Sequence, residues 1–156
     1  MGTTIPQLVF ACCQFCPNKS FIEYILELEK TMSMTELVKT VLDYNVNGYT
    51  CLLVLFDMMI GYNNQTGNLP GSSLPMFLEI ETTAFYLIKL AEDNKLPMDD
   101  ILNWTADNGL TLFQRAAWFS ESLASELLKK DVIVTTVDIL FQTPSFRVSL
   151  KFIDLV

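Results

Sequence analysis

Residues 106–132 read ADNGLTLFQRAAWFSESLASELLKKDV, and the rest of the chain is best understood outward from them. Asp107-Asn108-Gly109 is turn chemistry, because Asn and Gly tolerate positive φ where other side chains do not. Thr111 follows as an N-cap, its hydroxyl placed to accept from a backbone N–H of the first turn. Leu112, Ala116 and Phe119 then recur at helical spacing, and the Ala116-Ala117 pair lets a neighbouring helix approach closely. Ser120-Glu121-Ser122 interrupts that run and caps a second helix. Leu123, Leu127 and Leu128 make its apolar stripe, which closes on Lys129-Lys130, cations where the helix dipole favours them. The stretch therefore spells a turn followed by two short helices.

This order of residues resembles an ankyrin repeat, whose pattern runs roughly D-x-x-G-x-T-P-L-H-x-A-A, a short break, and an outer helix ending L-L-x-x-G. Gly109, Thr111, Phe113, Ala116, Ala117, Leu127 and Leu128 stand where the pattern wants them. Leu112 replaces the usual Pro, Gln114 the usual His and Asp131 the usual Gly. A Gln amide both donates and accepts, so it keeps part of the hydrogen bonding that the His supplies. A helical hairpin of another all-α domain has the same local grammar, and further units elsewhere in the chain decide between the two.

Such units are legible upstream. Ser20 with Glu23 three residues on is a capping box, predicting a helix over 21–29 with Phe21, Ile25 and Leu28 on one side. Residues 34–44 are the clearest amphipathic helix: Leu37, Val38, Val41 and Leu42 face in, while Glu36, Lys39 and Asp43 face out. Its letters resemble an ankyrin outer helix. Asn47-Gly48-Tyr49-Thr50 repeats the motif Asn108-Gly109-Leu110-Thr111 almost letter for letter. The two are nearly twice the family period of about 33 residues apart. The excess has a home in NNQTGNLPGSSLP, residues 63–75, a loop-like insertion between an inner helix over 50–60 and an outer helix over 76–91. Phe77, Ile80, Ala84, Leu87, Ile88 and Ala91 form the outer helix's stripe.

Downstream, residues 132–141 are β-branched, and Thr143-Pro144 follows Thr111 by close to one period. Two readings stand: another repeat, or a β-hairpin of 132–141 and 146–153. The expected architecture is all-α, a short helical solenoid of ankyrin-like helix-turn-helix repeats, with that C-terminal hairpin as the variant. It forms one domain over 1–156, with units at 18–46, 47–105, 106–138 and a partial 139–156. Residues 1–6 read as a loose end, and 7–15 as an apolar run too short to classify.

Composition narrows the function. Hydrophobic residues make up 51 % of the chain and charged residues 18 %, which suits a buried helical stack or apolar surface reserved for a partner. The most apolar window, 49–62, is short for a bilayer span and carries Asp57, so no membrane association is expected. The net charge of −8 and the lack of a basic cluster beyond Lys129-Lys130 disfavour nucleic acid. With no histidine, the commonest general base and metal ligand is missing, and no nucleophile elbow, P-loop or dinucleotide fingerprint is present. Cys12, Cys13, Cys16 and Cys51 read as small buried hydrophobes or free thiols rather than a zinc set. The first 16 residues lack the positive start of a secretory signal, so a cytoplasmic or nuclear placement is expected.

The expected function is a non-enzymatic protein–protein interaction module or adaptor, without metal or cofactor, that binds a protein partner and self-associates through an exposed apolar end. The resemblance implies a partner surface at the turn tips and the exposed inner-helix face: Tyr49, Asp57 and Met58 in one unit, Leu110, Trp118 and Phe119 in the next. The alternative is a small ligand-binding or enzymatic helical domain with a pocket near residues 63–75.

Overall fold

Capping chemistry sets where the helices begin. In a computed structural model that describes residues 2–66, 74–105 and 111–130, the chain is mainly helical. Helix α1 (Ile5–Phe15) opens on a reciprocal capping box: Thr4 Oγ1 accepts from Gln7 N at 3.3 Å and Gln7 Oε1 accepts from Thr4 N at 2.8 Å. The residues read as a loose end thus start a helix, with Pro6 in the first turn where its missing N–H costs no hydrogen bond. Helix α2 (Lys19–Glu27) is capped by Asn18, whose Oδ1 accepts from Phe21 N at 2.8 Å. The expected cap, Ser20, lies inside the first turn, because Asn caps as well as Ser and an earlier start adds helical hydrogen bonds. Ser33 caps α3 (Met34–Asp43), which buries Leu37, Val38, Val41 and Leu42 as its pattern predicts.

A two-residue hairpin follows. Strands β1 (Asn45–Val46) and β2 (Tyr49–Thr50) pair antiparallel, Asn45 with Thr50 and Val46 with Tyr49. Asn47 (φ 55°) and Gly48 (φ 87°) both take positive φ, the requirement of a type I′ turn and the reason for an Asn-Gly pair here. Helix α4 (Cys51–Thr66) leaves the hairpin directly, and α5 (Leu74–Asp93), α6 (Met98–Leu102), α7 (Leu112–Phe119) and α8 (Glu121–Leu128) complete the described order. Helix α4 runs past the expected end at 60 and α5 starts at Leu74, so helix takes up both flanks of the predicted 63–75 loop. The turn at 107–109, Leu110, and the whole of 131–156 with its two alternatives lie outside the described residues.

Helix α4 is the hub. It packs against α1, α3, α5, α7 and strand β2. Cys51, Leu52, Leu53, Leu55, Phe56 and Met59 are all buried, so apolar residues surround its first turns instead of lining one stripe. Helix α5 buries Phe77, Ile80, Ala84, Leu87, Ile88 and Ala91, the stripe read from the sequence. Each fully buried Leu, Ile or Phe side chain contributes about 1.5–3 kcal/mol over exposure, so this contiguous cluster holds the helices together. Helix α2 packs on α1 and α5, burying Ile22, Ile25 and Leu26. Phe21 and Leu28, expected on the same side as Ile25, face solvent, because the buried arc is centred one residue further round the helix. None of the described helices is long and apolar enough to cross a membrane.

Candidate functional site

Two features sit on either side of the hairpin. The first is a charge network between α4 and α7. Arg115 lies in the middle of α7, on the face turned to α4, and its side chain is only 1 % exposed. Burying a guanidinium is costly without a counter-charge, and α4 supplies one in Asp57, which the Arg115 Nη1 reaches as donor. The Tyr49 ring lies 5.9 Å from the guanidinium carbon, adding a cation–π contact from the hairpin. Burial pulls the Arg115 pKa below its ordinary value, and the nearby Tyr49 hydroxyl works against that shift.

Two further polar links hold the same region. Ser120, the residue between α7 and α8, caps α8 by accepting from Leu123 N at 3.1 Å and donates its hydroxyl to Glu81 of α5. Lys130, with a side chain 9 % exposed, reaches Glu92 of α5 at 2.6 Å and Glu126 of α8 at 3.0 Å. Burial works against its ammonium, yet hydrogen bonds to Glu92 and Glu126 and their charges together raise its pKa.

The second feature is a half-open cleft of about 810 Å³ on the other side of the hairpin. Its floor is apolar: Leu42 of α3, Leu52 of α4 and Leu96 after α5, all buried. Its rim carries Lys39 and Asp43 of α3, Asp99 and Asp100 of α6, and Trp104. Trp104 is 45 % exposed, and its indole Nε1–H donates to Gly48 O at 2.8 Å, which ties residue 104 back to the hairpin turn. Lys39 and Asp43 pair with each other at 3.3 Å along α3, on well-solvated side chains. Such a pair is worth well under about 1 kcal/mol, so both partners are easily re-engaged by an incoming group.

No family model matches the chain, and comparison with curated proteins and with solved structures returns no match.

The residues expected to bind a partner divide accordingly. Tyr49 and Asp57 come together, around Arg115, so much of their capacity is spent inside the fold. Met58 is half-buried on α4 and packs against the core. Leu110 lies outside the described residues, and Trp118 and Phe119 are placed in α7 by their backbone alone. In the sequence, Asp99 and Trp104 lie in the connection that follows the 76–91 helix, and the Asp99-Asp100 pair reads as a solvated helix face or cap. The available signal was a lone Trp in a polar, loop-like stretch, where a large aromatic has no local structural reason to be.

Two of the four thiols are fully enclosed. Cys13 and Cys51 are fully buried where α1 meets α4. A hydrogen bond with the Cys51 thiol, followed by burial, pushes the Cys13 thiol well above its ordinary value. A protonated, enclosed thiol is a poor nucleophile.

Proposed function

We propose that the chain is a protein–protein interaction module built from divergent ankyrin-like units, with its partner surface beside the β1–β2 hairpin. The observation that carries this reading is the order of elements around the Asn47-Gly48 turn. A two-residue hairpin stands directly before α4, α5 is the next helix and packs on α4, and α4 also packs on α1 and α7. That order, turn then paired helices then the next unit, is the one the sequence resemblance implies. Thr111 and Gln114 strengthen it: Thr111 Oγ1 accepts from Gln114 N at 3.0 Å, and Gln114 Oε1 accepts from Thr111 N at 3.0 Å. Gln114 thereby closes the helix start at the position where the family has His.

Non-catalytic binding suits the chemistry in hand. The charge contacts with an enclosed cation, Arg115–Asp57 and Lys130–Glu92, tie elements of the fold together rather than lining the cleft. Affinity capture with quantitative mass spectrometry tests the proposal. The wild type is expected to enrich a protein partner reproducibly and saturably, insensitive to nuclease. A Trp118→Ala/Phe119→Ala variant and a Trp104→Ala variant, each with wild-type circular dichroism, separate the two faces of the module. If no protein is enriched over a denatured control, the interaction reading is lost.

A further inference from the structure

We propose that the cleft beside the hairpin takes a basic segment of a partner protein, an Arg or Lys next to an aliphatic or aromatic residue. This rests on the interaction reading above and adds the partner's chemistry to it.

Three observations converge. The floor of the cleft is apolar, formed by the buried Leu42, Leu52 and Leu96, and its volume of about 810 Å³ accommodates several side chains. Its rim sets three carboxylates, Asp43, Asp99 and Asp100, against the single ammonium of Lys39. Asp99 and Asp100, both exposed in the first turn of α6, line the cleft and form no salt bridge among the described residues. Trp104 is the third. The residue is half-exposed and its indole is pinned by the 2.8 Å hydrogen bond to Gly48 O, so a partner finds an aromatic surface already held in place. A pre-ordered aromatic costs little entropy on binding and is the residue type that most often dominates interface energy.

Charge decides the class of occupant. An acidic or neutral segment would leave Asp99 and Asp100 desolvated without a partner, which is costly. A cationic side chain pairs with them, and its alkyl stem lies along the same apolar floor. An Arg also stacks on an indole face. The net charge of −8 steers basic partners towards the whole molecule and raises the encounter rate.

The probe is a short fluorescent peptide alternating arginine and leucine, with an otherwise identical glutamate–leucine peptide as its counterpart. Binding is measured by anisotropy for the wild type, Asp99→Asn/Asp100→Asn, Trp104→Ala and Trp104→Phe. A Glu23→Gln/Glu27→Gln variant removes the same charge from the exposed face of α2, outside the cleft. The wild type is expected to bind the arginine peptide and not the glutamate one. The Asp99/Asp100 variant should weaken it by about tenfold or more, while the α2 control changes it by less than about threefold. Trp104→Phe, which keeps a ring without the bond to Gly48, should fall between wild type and Trp104→Ala. The Trp104 indole N–H resonance should move on binding. Equal losses in the Asp99/Asp100 and α2 variants would reduce the effect to general attraction and overturn the cleft. So would unchanged binding by folded Trp104→Phe. If a captured protein partner is held as well by the Asp99/Asp100 and Trp104 variants as by wild type, the interaction module stands and the cleft falls. If the peptide binds as expected but no protein is captured, the module reading fails instead.

Discussion

The Asp57 carboxylate on α4 accepts a hydrogen bond from the Arg115 guanidinium on α7, and this pair joins the hub helix to α7 across their packed faces. The partners are unequal: Arg115 is enclosed, whereas Asp57 is 38 % exposed.

That inequality sets opposite outcomes for the two truncations. Asp57→Ala leaves a buried guanidinium without its carboxylate and should cost roughly 2–3 kcal/mol, below the range for fully buried pairs because water reaches the Asp57 side. Arg115→Met fills similar volume without a charge and should stay within about 1 kcal/mol of wild type. Denaturant midpoints of the two variants and of the double variant test this. If Asp57→Ala proves harmless, the pair is not what makes Arg115 tolerable in the core.

Helix α5 ends on a strained residue. Leu96 N donates to Ala91 O at 3.0 Å and Lys95 N to Glu92 O at 3.0 Å, the two bonds of a Schellman cap, which place Lys95 at φ 56°. A left-handed conformation strains any residue with a Cβ, and Gly escapes it. Lys95→Gly should raise stability by roughly 0.5–1 kcal/mol, whereas Lys95→Ala keeps the strain and should change little. Thermal unfolding of both variants distinguishes them. A Lys95→Gly protein no more stable than Lys95→Ala would remove the strain argument.

Tyr86 carries a pH dependence. Burial first, and then the charges of Glu23 and Glu27, push its phenol up to about 12. The ordinary tyrosine value is about 10, so the folded state holds the proton more tightly than the unfolded chain. Its contribution to stability is therefore complete below about pH 10 and is lost as pH rises from there through about 12. Ultraviolet titration of the tyrosines should show one late step in wild type that Tyr86→Phe lacks. The variant should also lose less stability than wild type over that alkaline interval. A wild-type titration without the late step would refute the assignment.

Local signals carried most of the secondary structure. Thr111 and Ser120 cap helices where their side chains predict, since a cap needs only a neighbouring N–H. The stripes of α3 and α5 are buried as read, because a long run of apolar residues at helical spacing leaves one face to bury. The errors fell where two local choices were close in energy. Asn18 and Ser20 compete to start α2, and the earlier residue wins once α2 packs on α1 and α5.

By itself, the order of residues determined the mainly helical character of the described residues, the Asn47-Gly48 turn, the buried stripes and several helix starts, all of them set by interactions a few residues long. Only the tertiary structure decided that Phe21 and Leu28 face solvent, that Asp57 and Tyr49 converge on Arg115, and that Trp104 is held to Gly48 over a cleft rimmed by Asp99 and Asp100. These are encounters between distant segments. Which helix face is covered, and which charge finds its partner, depends on how α4 is surrounded, and no local pattern of residues encodes that neighbourhood.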